Sequence, residues 1–161
     1  MAGSATDLRN RLLPMVDILR AIPVRAGLRL YTVAVRTVVW SGGRPGLGTK
    51  TTVDTGLKLD LGIGSPRVRQ IRQDEVVASG GLYQSEDMVI GPITPPYAGS
   101  SADNDAVSVF EPPVDGSARE IYFKLTGPGM PDTGAWFKKV SQDVSKSFRY
   151  TFIVRKTAVV P

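Results

Sequence analysis

The sequence predicts a mainly β domain: an antiparallel β-barrel or sandwich with a short N-terminal helical segment and long loops. Three observations predict it. From residue 28 onward, runs rich in valine, isoleucine, threonine and aromatics alternate with polar side chains. Glycine and proline, 17 and 12 residues respectively, cluster between those runs, where turns are needed. The chain has 161 residues, 42% of them hydrophobic, which is enough to bury a core without disulfide or metal staples. Residues 1–27 then form the helical segment and residues 28–161 a single β domain with a long loop at 94–117.

The elements follow in order. Ser4 or Thr6 can cap a first turn in which Leu8 and Leu12 fall four apart. Pro14 either opens a second short helix or kinks a single one, and Pro23 ends the segment. Met15, Ile18, Leu19 and Ile22 make one apolar stripe at helical spacing, a packing face for either its own domain or a neighbouring subunit. Leu28–Trp40 reads as strand, Ser41–Gly48 as loop and Lys50–Leu61 as an alternating strand. Arg67–Val77 alternates basic and apolar residues, with a break in phase at Gln70–Asp74 that predicts a bulge. Gly80-Gly81 turns the chain into a strand over Leu82–Ile93, interrupted at Ser85–Asp87. Thr94–Ser117 holds too many prolines and polar residues for a sheet interior, with Val107–Phe110 as a short strand inside it. Three strands close the chain: Glu120–Thr126, Ala135–Val140 and Ser147–Thr157. The last two pair most simply as a hairpin, with Trp136 and Phe137 facing Tyr150 and Phe152.

Side-chain chemistry argues against an enzyme. Cysteine and histidine are both absent, which removes thiol nucleophiles, ordinary zinc sites and every Ser-His or Cys-His arrangement. Gly43–Thr51 nearly spells a phosphate-binding loop, but Thr49 separates the last glycine from Lys50, and a strand follows where a helix should begin. The acid pairs Asp74/Glu75 and Glu86/Asp87 are adjacent on strands as read here, so they point to opposite faces. Asp103-Asn104-Asp105 lacks the later glycine and glutamate of a calcium loop. No catalytic residue, cofactor or metal ligand is therefore expected. No apolar run approaches the ~20 residues that cross a bilayer, and no basic-then-apolar leader opens the chain, so synthesis in a cytoplasm without a membrane partner is the expectation.

Charge points to partners. The net charge is +5, and residues 1–80 carry 12 basic and 6 acidic side chains, against 8 and 9 in residues 81–161. Between Arg20 and Arg72 there are 10 basic residues and only two acids, Asp54 and Asp60. Such a block suits phosphate or an acidic protein surface, or is simply a solvated face. Arg67, Arg69 and Arg72 are its candidate docking residues. A nucleic-acid-binding β-barrel of the oligonucleotide-binding kind remains an alternative, with Tyr31, Trp40, Tyr83 and Tyr97 as its aromatics.

The order of helix, Arg/Val-rich strand and Trp40–Thr49 loop, then Val76–Tyr83 and Ile90–Pro95, resembles the small neck proteins of tailed bacteriophages. Leu125–Gly129 followed by Gly134–Phe137 adds to the likeness. The resemblance, to head-completion or stopper proteins of the head–tail connector, spans most of residues 28–157. It implies a structural virion protein at the neck: a β-barrel assembled as a homo-oligomeric ring, six- or twelve-fold. That ring would lie between portal or adaptor proteins and the tail, with packaged DNA passing through its channel. A tail terminator or tail-tube component is the nearest alternative. DNA must slide through such a channel, so the Arg20–Arg72 face is expected to meet acidic neighbours rather than DNA. Arg44, Pro45 and Leu47 in the first loop, and Tyr97, Val109 and Phe110 in the long one, are the candidate contacts between subunits. Both loops are expected to be mobile until a partner orders them.

Overall fold

A computed structural model describes residues 31–61, 68–93, 109–110, 113–144 and 150–161. The helical segment with Met15, Ile18, Leu19 and Ile22, together with Arg67, Tyr97 and most of 94–117, lies outside the described residues. The described chain is mainly antiparallel β, with strands β1 (Tyr31–Trp40), β2 (Lys50–Leu61), β3 (Val68–Gln70), β4 (Met88–Ile93), β5 (Ala118–Thr126), β6 (Ala135–Val144) and β7 (Tyr150–Lys156). One short helix, α1 (Gln73–Ala78), follows β3.

All seven strands join one sheet in the order β2-β1-β5-β6-β7-β4-β3. The sheet does not close into a barrel; of the two expected architectures it fits the sandwich-like one. It folds over so that β2 approaches β4 without pairing to it. The reason lies in the alternation. Val33 and Val35 on β1, Ile121, Phe123 and Leu125 on β5, Ala135 and Phe137 on β6, and Tyr150, Phe152 and Val154 on β7 all face one side and are buried. Each large side chain so buried contributes about 1.5–3 kcal/mol, and a single sheet can realise that only by curling its apolar face inward.

Four expectations need correction. Arg67–Val77 is not one bulged strand: β3 stops at Gln70 and α1 takes the rest, so helix is not confined to the N-terminal segment. The Glu75 carboxylate accepts the backbone N–H of Arg72, satisfying a donor that the first helical turn leaves open. That local bond outweighs the strand preference of Val76-Val77. Strand structure before Ile93 begins only at Met88, because Leu82–Asp87 turns back over the sheet. The hairpin of β6 with β7 exists but in another register: Phe137 lies opposite Lys156 and Gln142 opposite Phe152, with a shift between Lys139 and Ser141.

The last correction concerns Val109 and Phe110. Phe110 is only 2% exposed, and its ring lies 5.0 Å from Phe152, 5.3 Å from Tyr150 and 6.5 Å from Phe123. Val109 is half-buried against the same cluster. Gln142 Nε2 donates to the Phe110 carbonyl and Arg119 donates to the Val109 carbonyl. Both residues anchor their segment to the chain's own core, and Phe110 is too deeply buried to serve as a contact for a neighbour. Phe110→Ala should therefore destabilise the isolated protein by about 3–5 kcal/mol in denaturant unfolding, whereas Leu47→Ala should stay within about 0.5 kcal/mol of wild type.

Candidate interaction surfaces

The loop joining β1 to β2 is the first surface. Ser41 through Lys50 are exposed throughout, with Leu47 at 55%. The loop was expected to be mobile for want of apolar anchors, yet it folds on its own backbone. Ser41 N–H donates to the Thr49 carbonyl, Gly42 N–H to Leu47 and Leu47 N–H to Arg44. Ser41 Oγ accepts the N–H of Thr49. Two glycines make this possible. A Cβ on Gly42 would stand 2.6 Å from the Leu47 carbonyl, and one on Gly48, where φ is +81°, would meet Ser41 Oγ at 2.5 Å. The outcome is a preordered hairpin tip that presents Arg44 and Pro45 at its end, while Leu47, half exposed, lies back against Gly42.

The outward face of the sheet is the second. Residues opposite one another across β2, β1, β5 and β6 run Asp54, Arg36, Tyr122, Lys138. Arg36 Nε donates to Asp54 at 2.6 Å, and its guanidinium lies 4.6 Å from the Trp136 ring centre. A third donor of Arg36 reaches the Pro161 carbonyl at 2.8 Å. Glu120 accepts from Trp40 Nε1 and from Lys138 Nζ. Burial pushes the Glu120 carboxyl up, but those two bonds more than offset it and hold the acid below its usual range. The Lys138 ammonium also sits over the Tyr122 ring, 5.9 Å from its centre. Lys124 stands 5.8 Å from the far side of the same network, at Trp136.

A third cluster ties down the turn after α1. Asp87 is fully buried and accepts two bonds from Arg155, at 2.7 and 2.8 Å, and one from the Gln84 N–H. Burial alone would raise this carboxyl; Arg155 and the Gln84 amide bring it below its ordinary value instead. Arg155 also donates to the Leu82 carbonyl, so one guanidinium fixes both ends of the turn.

Arg69 and Arg72, read from sequence as docking residues, divide here. Arg69 makes a two-pronged contact with Glu75, at 2.6 and 2.7 Å, and is not a free cation. Arg72 is exposed. Arg36, Lys138, Arg155 and Arg69 are each matched to a carboxylate. That matters for partner class, because nucleic acid binding needs cations that can release counterions onto phosphate. Among the described residues, no group of three metal-capable side chains converges. The cation–aromatic ladder escaped the sequence reading, since Arg36 and Asp54 are 18 residues apart and only strand register brings them together. Comparison with protein-family models, with curated proteins and with solved structures finds no match.

Glu75 offers a pH test of the β3–α1 corner. The guanidinium of Arg69 and the Arg72 N–H pull its carboxyl from 4.5 down to about 2. A depressed acid contributes its stability fully above the unfolded value and loses it as pH falls toward the folded one. The corner should therefore loosen between about pH 4.5 and 2, seen as amide shifts at Val76 and Ser79 by NMR. In Glu75→Gln that acid-dependent step should vanish, with a cost near neutrality of about 1 kcal/mol or less, since the pair is partly exposed.

Proposed function

We propose that this chain is a structural subunit of a tailed-phage neck: a head-closure or stopper ring component. It joins portal and adaptor proteins to the tail and helps retain packaged DNA. The observation that carries the reading is the β1–β2 hairpin tip, which is exposed along its length and already folded on its own backbone. A ring subunit needs an arm that reaches a neighbour with little ordering cost, because loop ordering otherwise consumes about 1–2 kcal/mol per residue. Arg44, Pro45 and Leu47 supply such an arm with a cation, a rigid turn and an apolar anchor. Heterologous contacts of this kind close into a ring when the rotation permits.

The outward face supports a protein neighbour over nucleic acid. Two of its cations, Arg36 and Lys138, are held by carboxylates and lie near Trp136 and Tyr122, an arrangement suited to a surface beside other subunits. A tail terminator or tail-tube component would use the same features and is the nearest alternative. On this reading the protein resides in the virion, at the head–tail interface.

Electron microscopy of the purified protein tests the reading. Rings with a central hole are the expected result, and labelled antibody should mark the neck of intact particles. Leu47→Asp combined with Arg44→Glu should leave circular dichroism and thermal unfolding unchanged but abolish ring formation and neck labelling. A wild-type protein that forms no ring and labels no particle would end the proposal.

A further inference from the structure

Among the described residues, the first half of β2 has a strand neighbour on one side only. Thr51, Thr52, Val53 and Asp54 lie opposite Val39, Val38, Thr37 and Arg36 of β1, and no described strand flanks β2 on its other side. Every residue from Lys50 to Asp54 is exposed, Val53 at 44%. Such an edge presents free N–H and C=O groups at alternate positions and readily templates another strand. Proteins usually blunt it with proline, a bulge or inward charge. Here Lys-Thr-Thr-Val-Asp has no proline, the irregular pairing of β2 begins only after Asp54, and the central residues favour extended structure.

The side chains are ordered by face. Lys50, Thr52 and Asp54 share the outward face, where Arg36 grips Asp54 and the charge of Lys50 acts on Glu120. Asp54 remains 71% exposed with Arg36 in place, so its carboxylate still has lone pairs open to solvent.

We propose that this edge pairs with the same edge of a second copy of the chain, antiparallel about a twofold axis through Thr52. A twofold axis perpendicular to the sheet keeps outward residues outward, so it must pass through a residue and not between two. With Thr52 at the axis, Lys50 faces the partner subunit's Asp54, and Asp54 faces the partner subunit's Lys50. Thr52 meets its own counterpart, and Val53 is covered by the partner subunit's Thr51. Axes through Thr51 or Val53 leave both charges opposite uncharged residues. Opposite charges and threonine pairs placed directly across an antiparallel ladder are favourable, so the charge pattern selects one register. The contact is isologous and involves neither Arg44 nor Leu47, so it stands apart from the ring reading; it also caps an edge that would otherwise invite aggregation.

The chain contains no cysteine, so a single introduced thiol reports on this register alone. Opposed Cβ atoms across an antiparallel pair lie about 4.5–5.5 Å apart, close enough for a disulfide to form with small adjustment. Full-length Thr52→Cys under mild oxidation should form covalent dimers at least about tenfold faster than Leu47→Cys, whose site is similarly exposed. Adding Lys50→Asp should slow that cross-linking about tenfold, since it opposes two carboxylates twice across the axis. Sedimentation of the wild-type chain should show a concentration-dependent dimer that weakens with salt. Equal cross-linking at residues 47 and 52, no effect of Lys50→Asp, or a wild-type monomer at all concentrations would each overturn the proposal. Particles or rings that lack the dimer would leave the neck reading standing while removing this one.

Discussion

The inward side of β5 sets the curvature of the whole sheet. Ile121, Phe123 and Leu125 sit between β1 and β6 in the middle of the sheet, and Phe123 packs 4.8 Å from Phe152 of β7. Two strands that are not neighbours can meet ring to ring only if the sheet bends over its own face. Phe110 then fills the mouth of that bend from outside the sheet, touching rings from β5 and β7 together. The fold is thus one sheet wrapped around five aromatic and several aliphatic side chains, with no second layer required among the described residues.

Curling one face inward leaves the other face to manage its own charges. Cations and acids that alternate with the core residues are forced outward, and the register sets Arg36 against Asp54 and Glu120 within reach of Lys138. Each pair is worth little alone at a partly exposed site. Their joint effect is an outward surface on which Arg36 and Lys138 are each matched to a carboxylate and lie near an aromatic ring. The basic composition of the first half therefore overstates its free charge, since Arg36 and Arg69 are each matched to a carboxylate.

Much of the fold was legible because the alternation is clean. β2 was bounded correctly at Lys50 and Leu61, where a glycine loop gives way to threonine, valine and leucine at every second position. The β3–α1 corner was not legible, because Val76-Val77 reads as strand and the helix depends on Glu75 bonding to Arg72 and Arg69. Phe110 could have been found: one large aromatic in a polar stretch is more simply a core plug than an exposed anchor. The order within Ser41–Thr49 was missed because composition reports side chains, whereas that loop is held by its own amides. The outward ladder needed cross-strand register, which alternation alone does not supply.

The hairpin tip is built by its own backbone bonds before any partner arrives. Amide hydrogen exchange on the isolated subunit tests it most directly, since exchange reports the opening of individual backbone bonds. The N–H groups of Gly42, Leu47 and Thr49 each have an acceptor within the loop, whereas Gly46 has none among those described. Exchange at Gly42, Leu47 and Thr49 should be slowed at least about tenfold relative to Gly46, after correction for intrinsic rates. Exchange at the unprotected rate at all four positions would show that the isolated subunit has no formed tip.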